Sequence, residues 1–195
     1  LGGTPDVPQT VGDERDGPVG PGTLRPLLDA LRTTRPDEEA QAQGCAALAA
    51  YASCSADGGK SIARVGGIKS LLLATRAHIR SVTVVLPCAT TLLQVTMASP
   101  GCRRIMVRDG AVAILVAALR RHDTHVPLQR QGGACLAELV LSSEDGFPSL
   151  VKVTDGVETL VHAARSGAGV DGSAGERTAR ALRVIADSGT EFAER

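Results

Sequence analysis

Four arginines recur along the chain at a nearly constant interval, and they are the side chains best spaced to act as a set. They stand 44, 44 and 45 residues apart: Arg32, Arg76, Arg120 and Arg165. A guanidinium group binds a carboxylate or phosphate through paired hydrogen bonds, and near a helix C-terminus it also complements the helix dipole. The spacing therefore leaves two interpretations open. One is a structural ladder, and the other is a surface for an acidic partner formed by Arg76, Arg120, Arg121 and Arg165.

Histidine and cysteine give weaker signals for chemistry. His122 and His125 lie three residues apart, so on a helix they could share a metal ion. No cysteine or carboxylate pattern completes such a site, and no CxxC pair occurs among the five cysteines. We therefore expect no metal and no cofactor.

The sequence contains none of the common catalytic motifs. A P-loop, a GxSxG nucleophile turn and an HExxH helix are all absent. We expect no enzymatic activity and no small-molecule substrate. Because 21 basic residues balance 21 acidic ones, and only two Phe and one Tyr could stack on bases, we also expect no nucleic acid partner.

Composition also gives an expectation about location. No apolar run approaches the roughly 18 residues of a membrane span, so we expect no direct membrane insertion. An odd number of cysteines without a disulfide pattern favours a reducing intracellular compartment, the cytoplasm. Targeting to an organelle stays open because the sequence begins with Leu1 and not with Met.

The arginines belong to a longer repeat that must position them. Five residues before each arginine is a leucine, and aliphatic residues precede and follow that leucine at fixed offsets. A period of this length is typical of a helical solenoid, in which each unit buries its apolar face against its neighbours. We predict a flexible Gly/Pro-rich arm at 1–22, a repeat domain at 23–188 and a C-terminal tail at 189–195. The repeat units lie at about 23–57, 58–99, 100–145 and 146–188.

Three helices can be traced in the second, third and fourth units: a short one, a middle one that ends near the arginine, and a long third one. The first unit lacks the short helix. Asp37 and Ser81 are predicted to cap the third helices of the first two units. The β-branched run Ser81–Val85 alone would suggest a strand. The phase of the repeat predicts a helix there instead.

These features together resemble the armadillo repeat family. The resemblance covers about residues 23–188, and HEAT repeats are the nearest alternative. The passages that carry it are CAALAAYASCSADGGKSIARVGGIKSLLLATRAH (45–78), LLQVTMASPGCRRIMVRDGAVAILVAALRRH (92–122) and CLAELVLSSEDGFPSLVKVTDGVETLVHAARS (135–166). The resemblance implies an all-α, right-handed superhelix whose third helices line a concave groove that holds extended peptides.

In many members that groove carries a ladder of Asn on the third helices, with Trp one turn earlier. Aligned to this chain, the Asn position falls on Ala50, Gln94, Glu138 and Val184, and the Trp position on Ala46, Thr90, Ala134 and Arg180. No unit keeps either residue, which argues against a nuclear-import adaptor. The resemblance implies that partner contacts would come from Gln94, Glu138, Thr90 and Arg180.

The expected function is protein–protein binding, as a scaffold or adaptor that holds a partner segment along the third-helix face. Two alternatives stay open. The chain can be a structural subunit of a larger assembly, held by its ends and outer surface. It can also be the substrate-recognition module of a multi-domain ubiquitin ligase.

Overall fold

The computed structural model describes residues 21–54, 57–142, 144–167 and 172–193. These ranges are all-α and contain no strand. They form eleven helices: α1 (Pro21–Thr33), α2 (Glu38–Cys54), α3 (Gly58–Arg64), α4 (Gly67–Ala77), α5 (Val82–Ala98), α6 (Pro100–Arg108), α7 (Ala111–Arg121), α8 (Val126–Ser142), α9 (Gly146–Lys152), α10 (Gly156–Gly167) and α11 (Gly172–Ala193).

The order of short, middle and long helices follows the sequence period. α3, α4 and α5 form one such set, α6, α7 and α8 the next, and α9, α10 and α11 the last, while α1 and α2 precede them. α5 begins at Val82 despite its β-branched residues, which confirms the helix predicted from the repeat phase.

The two ends of the chain differ from the sequence prediction. α1 begins at Pro21, so the last two residues of the predicted arm are helical, and residues 1–20 of the arm lie outside the described residues. α11 continues to Ala193, which places residues 189–193 of the predicted tail in a helix. The tail was predicted from Gly189, but a glycine only weakens a helix unless a turn follows it.

One predicted cap is confirmed and the other is wrong. The Asp37 carboxylate accepts the backbone N–H of Ala40 at 3.1 Å at the start of α2. Ser81 precedes α5 but makes no side-chain cap; its hydroxyl lies 2.7 Å from that of Thr83 instead. A hydroxyl two residues along the chain is a local competitor for the same hydrogen bond.

A left-handed residue stands before each middle helix from α4 onward. It is Gly66 with φ of 81°, Gly110 with φ of 84° and Asp155 with φ of 58°. Glycine adopts this conformation without a steric cost, and aspartate is among the few other residues that tolerate it. The fourth unit therefore keeps the turn but places a carboxylate where the second and third have no side chain.

Equivalent helices pack side by side along the chain. α2 contacts α5, α5 contacts α8 and α8 contacts α11, while the middle helices contact each other in the order α1, α4, α7 and α10. The recurring leucine is fully buried in α4, α7 and α10, at Leu71, Leu115 and Leu160. Burying a leucine side chain contributes roughly 1.5–3 kcal/mol, so the period seen in the sequence is the period of the core.

A histidine bond joins each unit to the preceding one. The Nε2 atoms of His78, His122 and His162 donate to the carbonyl oxygens of Arg35, Ile79 and Asp123 at 2.7, 2.8 and 2.9 Å. The acceptors are 44 residues apart in each case, whereas the third donor stands a full turn earlier in its helix than the first two. The loop after each middle helix is thus anchored by the following unit.

Buried glutamines make a second recurring bond that the sequence analysis did not identify. Gln41 and Gln129 are 88 residues apart, twice the repeat period, and both are almost fully buried. Their Nε2 atoms donate at 2.7 Å to the carbonyl oxygens of Leu31 and Leu119, near the C-terminal ends of α1 and α7. A helix end needs such partners when it is buried.

Four of the five cysteines lie in the core, and Cys54 is exposed. The sulfur atoms of Cys45 on α2 and Cys88 on α5 are 2.9 Å apart. Burial raises the pKa of the Cys88 thiol, and the neighbouring Cys45 raises it further. Burial also raises the pKa of the Cys135 thiol. Cys88 and Cys135 are therefore protonated, packed side chains at neutral pH.

Candidate partner-binding surfaces

The third-helix face is the surface of α2, α5, α8 and α11 that carries the aligned ladder positions. On α5 it presents Thr90, Gln94 and Met97, which recur at helical spacing, and Met97 is 49% exposed. Thr90 is half-buried, and its hydroxyl donates to the carbonyl oxygen of Leu86 in the same helix at 3.0 Å. Gln94 is half-buried, and its amide forms no hydrogen bond with any residue in the described ranges. Of the predicted contacts on α5, only Gln94 therefore offers an uncommitted polar group.

Glu138 occupies the ladder position on α8, and its charge is already used inside the molecule. Its carboxylate lies 3.3 Å from the Nε of Arg177 on α11, and both side chains are largely buried, at 21% and 27% exposure. The predicted role of Glu138 was to attract a cation on a ligand. A ligand cation would have to compete with Arg177, which the sequence analysis did not identify because it is not at an aligned position.

The remaining aligned positions differ in accessibility. Ala46 and Ala50 on α2, and Arg180 and Val184 on α11, are exposed. Ala134 on α8 is fully buried, and at the adjacent Gly133 α8 and α10 approach so closely that a β-carbon would lie 2.7 Å from that of Ala163. The face therefore offers small and apolar side chains more than a hydrogen-bonding ladder.

The four recurrent arginines all lie in the last turn of a middle helix, where a cation complements the helix dipole. Their partners differ. Arg32 pairs with Asp29 of its own helix at 3.0 Å, and Arg120 pairs with Asp155 of the next unit at 2.9 Å. Arg76, Arg121 and Arg165 form no ion pair or hydrogen bond with any residue that the structure describes.

Two clefts of similar size separate the last three middle helices. The α4/α7 cleft has a volume of about 400 Å³ and is lined by Lys69, Leu72, Leu73, Arg76, Arg108, Asp109 and Ile114. The α7/α10 cleft has a volume of about 360 Å³ and is lined by Leu119, Arg120, Asp123, Asp155, Glu158, Thr159 and His162. The two linings share two positions of the repeat, the recurrent arginine (Arg76 and Arg120) and the residue at Ile114 and Thr159.

The clefts carry opposite charge. Three cations and one carboxylate line the α4/α7 cleft, whereas one arginine and three carboxylates line the α7/α10 cleft. The single carboxylate of the first, Asp109, is held by its neighbour Arg108 at 3.1 Å. Of the four arginines predicted to form one acidic-partner surface, the structure thus puts Arg76 in a basic cleft and Arg120 in an acidic one.

The sequence carries a signal for this difference. Asp155 aligns with Gly110 once the single extra residue between the third and fourth leucines is counted. Each accepts a backbone bond at the start of a middle helix: the N–H of Thr159 donates to the Asp155 carbonyl oxygen at 2.9 Å, and that of Ile114 to the Gly110 carbonyl oxygen at 3.3 Å. Asp155 is not among the residues that the sequence analysis singles out, so its ion pair with Arg120 was not predicted.

Within the described ranges, no group of three or more His, Cys, Asp or Glu side chains is arranged to hold a metal ion. No helix there is both long and apolar enough to cross a membrane.

Comparison with known proteins gives a fold and no family. No protein-family model matches the chain, and no curated protein sequence matches it. Among solved structures, the crystal structure of an engineered protein is similar, with a TM-score of 0.64 and 24% sequence identity. The match covers 82% of this chain, which spans 61% of the engineered protein. At this identity the similarity concerns the helical fold alone.

Proposed function

We propose that this chain is a right-handed α-solenoid of the armadillo type whose function is to bind another protein along the third-helix face. The observation that carries the proposal is the lateral order of the third helices, each of which contacts the next from α2 to α11. Equivalent helices in sequence order form a continuous surface, and solenoids use such surfaces for extended partners.

The chemistry of the face favours a partner segment with apolar side chains. Met97 is a flexible, polarisable side chain that adapts to different partners, and it lies within one turn of Gln94. The Gln94 amide can both donate to and accept from a partner's backbone. In this scheme the partner lies over α5, and its backbone is fixed at Gln94 while an apolar side chain packs on Met97.

A second candidate function is favoured by the Glu138–Arg177 pair. That pair joins α8 to α11 across the face and keeps both charges largely from solvent. Breaking a largely buried pair by removing one partner is costly. The alternative is therefore a structural subunit that is held by its ends and outer surface, with the third-helix face serving to lock the last unit onto the array.

The two candidates are separated by affinity purification of the tagged chain from its native cells, with co-purifying proteins quantified. Wild type is compared with Gln94→Ala, Glu138→Lys and the exposed control Lys152→Ala on α9. The adaptor proposal expects Gln94→Ala to lose a partner selectively, while Lys152→Ala retains it. If Gln94→Ala keeps every partner of the wild type and Glu138→Lys only lowers the melting temperature, the structural role is favoured.

A further inference from the structure

The α4/α7 cleft contains Arg76. The equivalent arginine of the next unit, Arg120, is paired with a carboxylate of the chain itself, that of Asp155. We infer that this cleft binds a partner protein through an acidic side chain that takes the place beside Arg76 which Asp155 takes beside Arg120. The inference concerns the middle helices and does not depend on the third-helix face.

The repeat supplies the reason why Arg76 is left without a partner. Arg120 reaches the left-handed residue at the start of the next middle helix, and that residue is Asp155. Arg76 stands at the same position one unit earlier, where the left-handed residue is Gly110. A glycine has no carboxylate to offer, and the nearby Asp109 is held by Arg108.

The space at Gly110, where Asp155 stands one unit later, is also open. A β-carbon built on Gly110 meets no heavy atom within 4 Å, apart from those of its chain neighbours. At the earlier junction, a β-carbon on Gly66 would lie 3.7 Å from a guanidinium nitrogen of Arg32, so the recurrent arginine approaches the left-handed residue there. A carboxylate that enters the α4/α7 cleft from outside therefore meets the arginine without displacing a side chain at Gly110.

The other residues that line the cleft indicate which groups should accompany the carboxylate in the ligand. Leu72, Leu73 and Ile114 make one part of the cleft apolar, and Leu73 is 36% exposed. Lys69 has no ion pair or hydrogen bond with the described part of the chain, so it adds a second free cation. An acidic residue next to an aliphatic or aromatic one matches this combination, because the charge meets Arg76 while the apolar neighbour packs on the leucines.

An extended polyanion fits less well than a peptide. The adjoining α7/α10 cleft carries Asp123, Asp155 and Glu158, which repel a run of phosphates that leaves the α4/α7 cleft in that direction. The expected ligand is a short protein segment with one or two carboxylates and not a nucleic acid strand or an acidic tract.

The test starts from a library of short random peptides displayed on phage and selected on the full chain. The Gly110→Asp variant, which gives Arg76 an internal partner, is kept out of the selection and serves only as a test. Enriched peptides are then synthesised with a fluorescent label, and their Kd values are measured by polarisation. Gly110→Asn is the matched control, because it keeps the left-handed strain and nearly the same volume without the charge. Arg120→Ala is the control for the other cleft.

The inference expects enriched peptides in which Asp or Glu lies beside an aliphatic or aromatic residue. Their Kd should rise at least about tenfold in Arg76→Ala and Gly110→Asp, and change by less than about twofold in Gly110→Asn and Arg120→Ala. Changing the peptide acid to its amide should weaken binding to wild type but not to Arg76→Ala. Gln94→Ala and Glu138→Lys should leave the affinity unchanged.

Several outcomes would overturn the inference. One is a library that yields no binders. Another is a set of binders whose Kd does not change in Arg76→Ala. A third is binders that unlabelled copies of the chain or a double-stranded DNA fragment compete away as effectively as excess peptide. If Gly110→Asp does not fold, as judged by circular dichroism, the decision rests on Arg76→Ala, whose side chain is exposed and not part of the core.

Discussion

The α4/α7 and α7/α10 clefts have similar volumes and each contains a recurrent arginine, yet one is basic and the other acidic. The helices around the two clefts are arranged alike, and the difference in charge comes from a few residues. The clearest is the position that is Gly110 in one unit and Asp155 in the next. In the second cleft the recurrent arginine joins two units, and in the first it has no ion pair with any residue that the structure describes. A repeat can thus keep its packing and change the use of its surface one residue at a time.

The largest loss of stability should come from a substitution in α7, the helix that both clefts share. Leu115 on α7 is 1% exposed, so Leu115→Ala should lower the free energy of unfolding by about 3 kcal/mol, through lost burial and the cavity that remains. Urea denaturation followed by circular dichroism measures this. Leu73→Ala, at a residue that is 36% exposed, is the control and should cost much less. Equal losses for the two variants would mean that α7 is not the common support.

The histidine bond between units should give an intermediate effect. His122→Ala removes the bond to the Ile79 carbonyl and should lower the free energy of unfolding by about 1 kcal/mol. The measurement is again urea denaturation, with the exposed neighbour Arg121→Ala as the control. If Arg121→Ala is as destabilising as His122→Ala, the bond between the units contributes nothing measurable.

The ion pair of the acidic cleft should contribute less, because its two side chains are 52% and 38% exposed. Asp155→Asn keeps a residue that tolerates the left-handed turn but loses the charge, and it should cost about 0.5 kcal/mol at low salt. A double-mutant cycle with Arg120→Ala isolates the pair. A coupling energy that does not fall as salt is added would contradict an exposed ion pair.

The buried thiols should not respond to changes in either cleft. With Ellman's reagent, one of the five cysteines, the exposed Cys54, should react in the native chain, and the remaining four only after unfolding. Arg76→Ala, Gly110→Asn and Arg120→Ala should each keep this count. A variant that exposes a second thiol has altered the core, and its binding data would no longer concern the cleft alone.

Most of the helices could be predicted from the sequence, because the repeat averages over local exceptions. The β-branched start of α5 was assigned correctly only because equivalent segments in other units are helical. Where the period gave no help, at Gly189, the end of the last helix was placed too early. Single residues act as stop signals only in the right backbone geometry, which a pattern does not contain.

The candidate sites were less predictable, since they depend on pairs that cross between units. Arg177 meets Glu138 through the approach of α11 to α8, and no spacing in the sequence indicates it. His78 and His122 stand 44 residues apart, but their acceptors are backbone carbonyls, which leave no trace in residue type. The equivalence of Asp155 with Gly110 can be predicted from the sequence, if the extra residue in the last interval of the repeat is allowed for in the alignment.

The histidine bonds fix where the array can yield under tension. Each one fastens a single point, the loop after a middle helix, to the unit that follows. A chain pulled from its two ends would therefore lengthen in discrete steps, one unit at a time, with one such bond broken at each step. Its force–extension curve would show one step for each of the three junctions that carry such a bond.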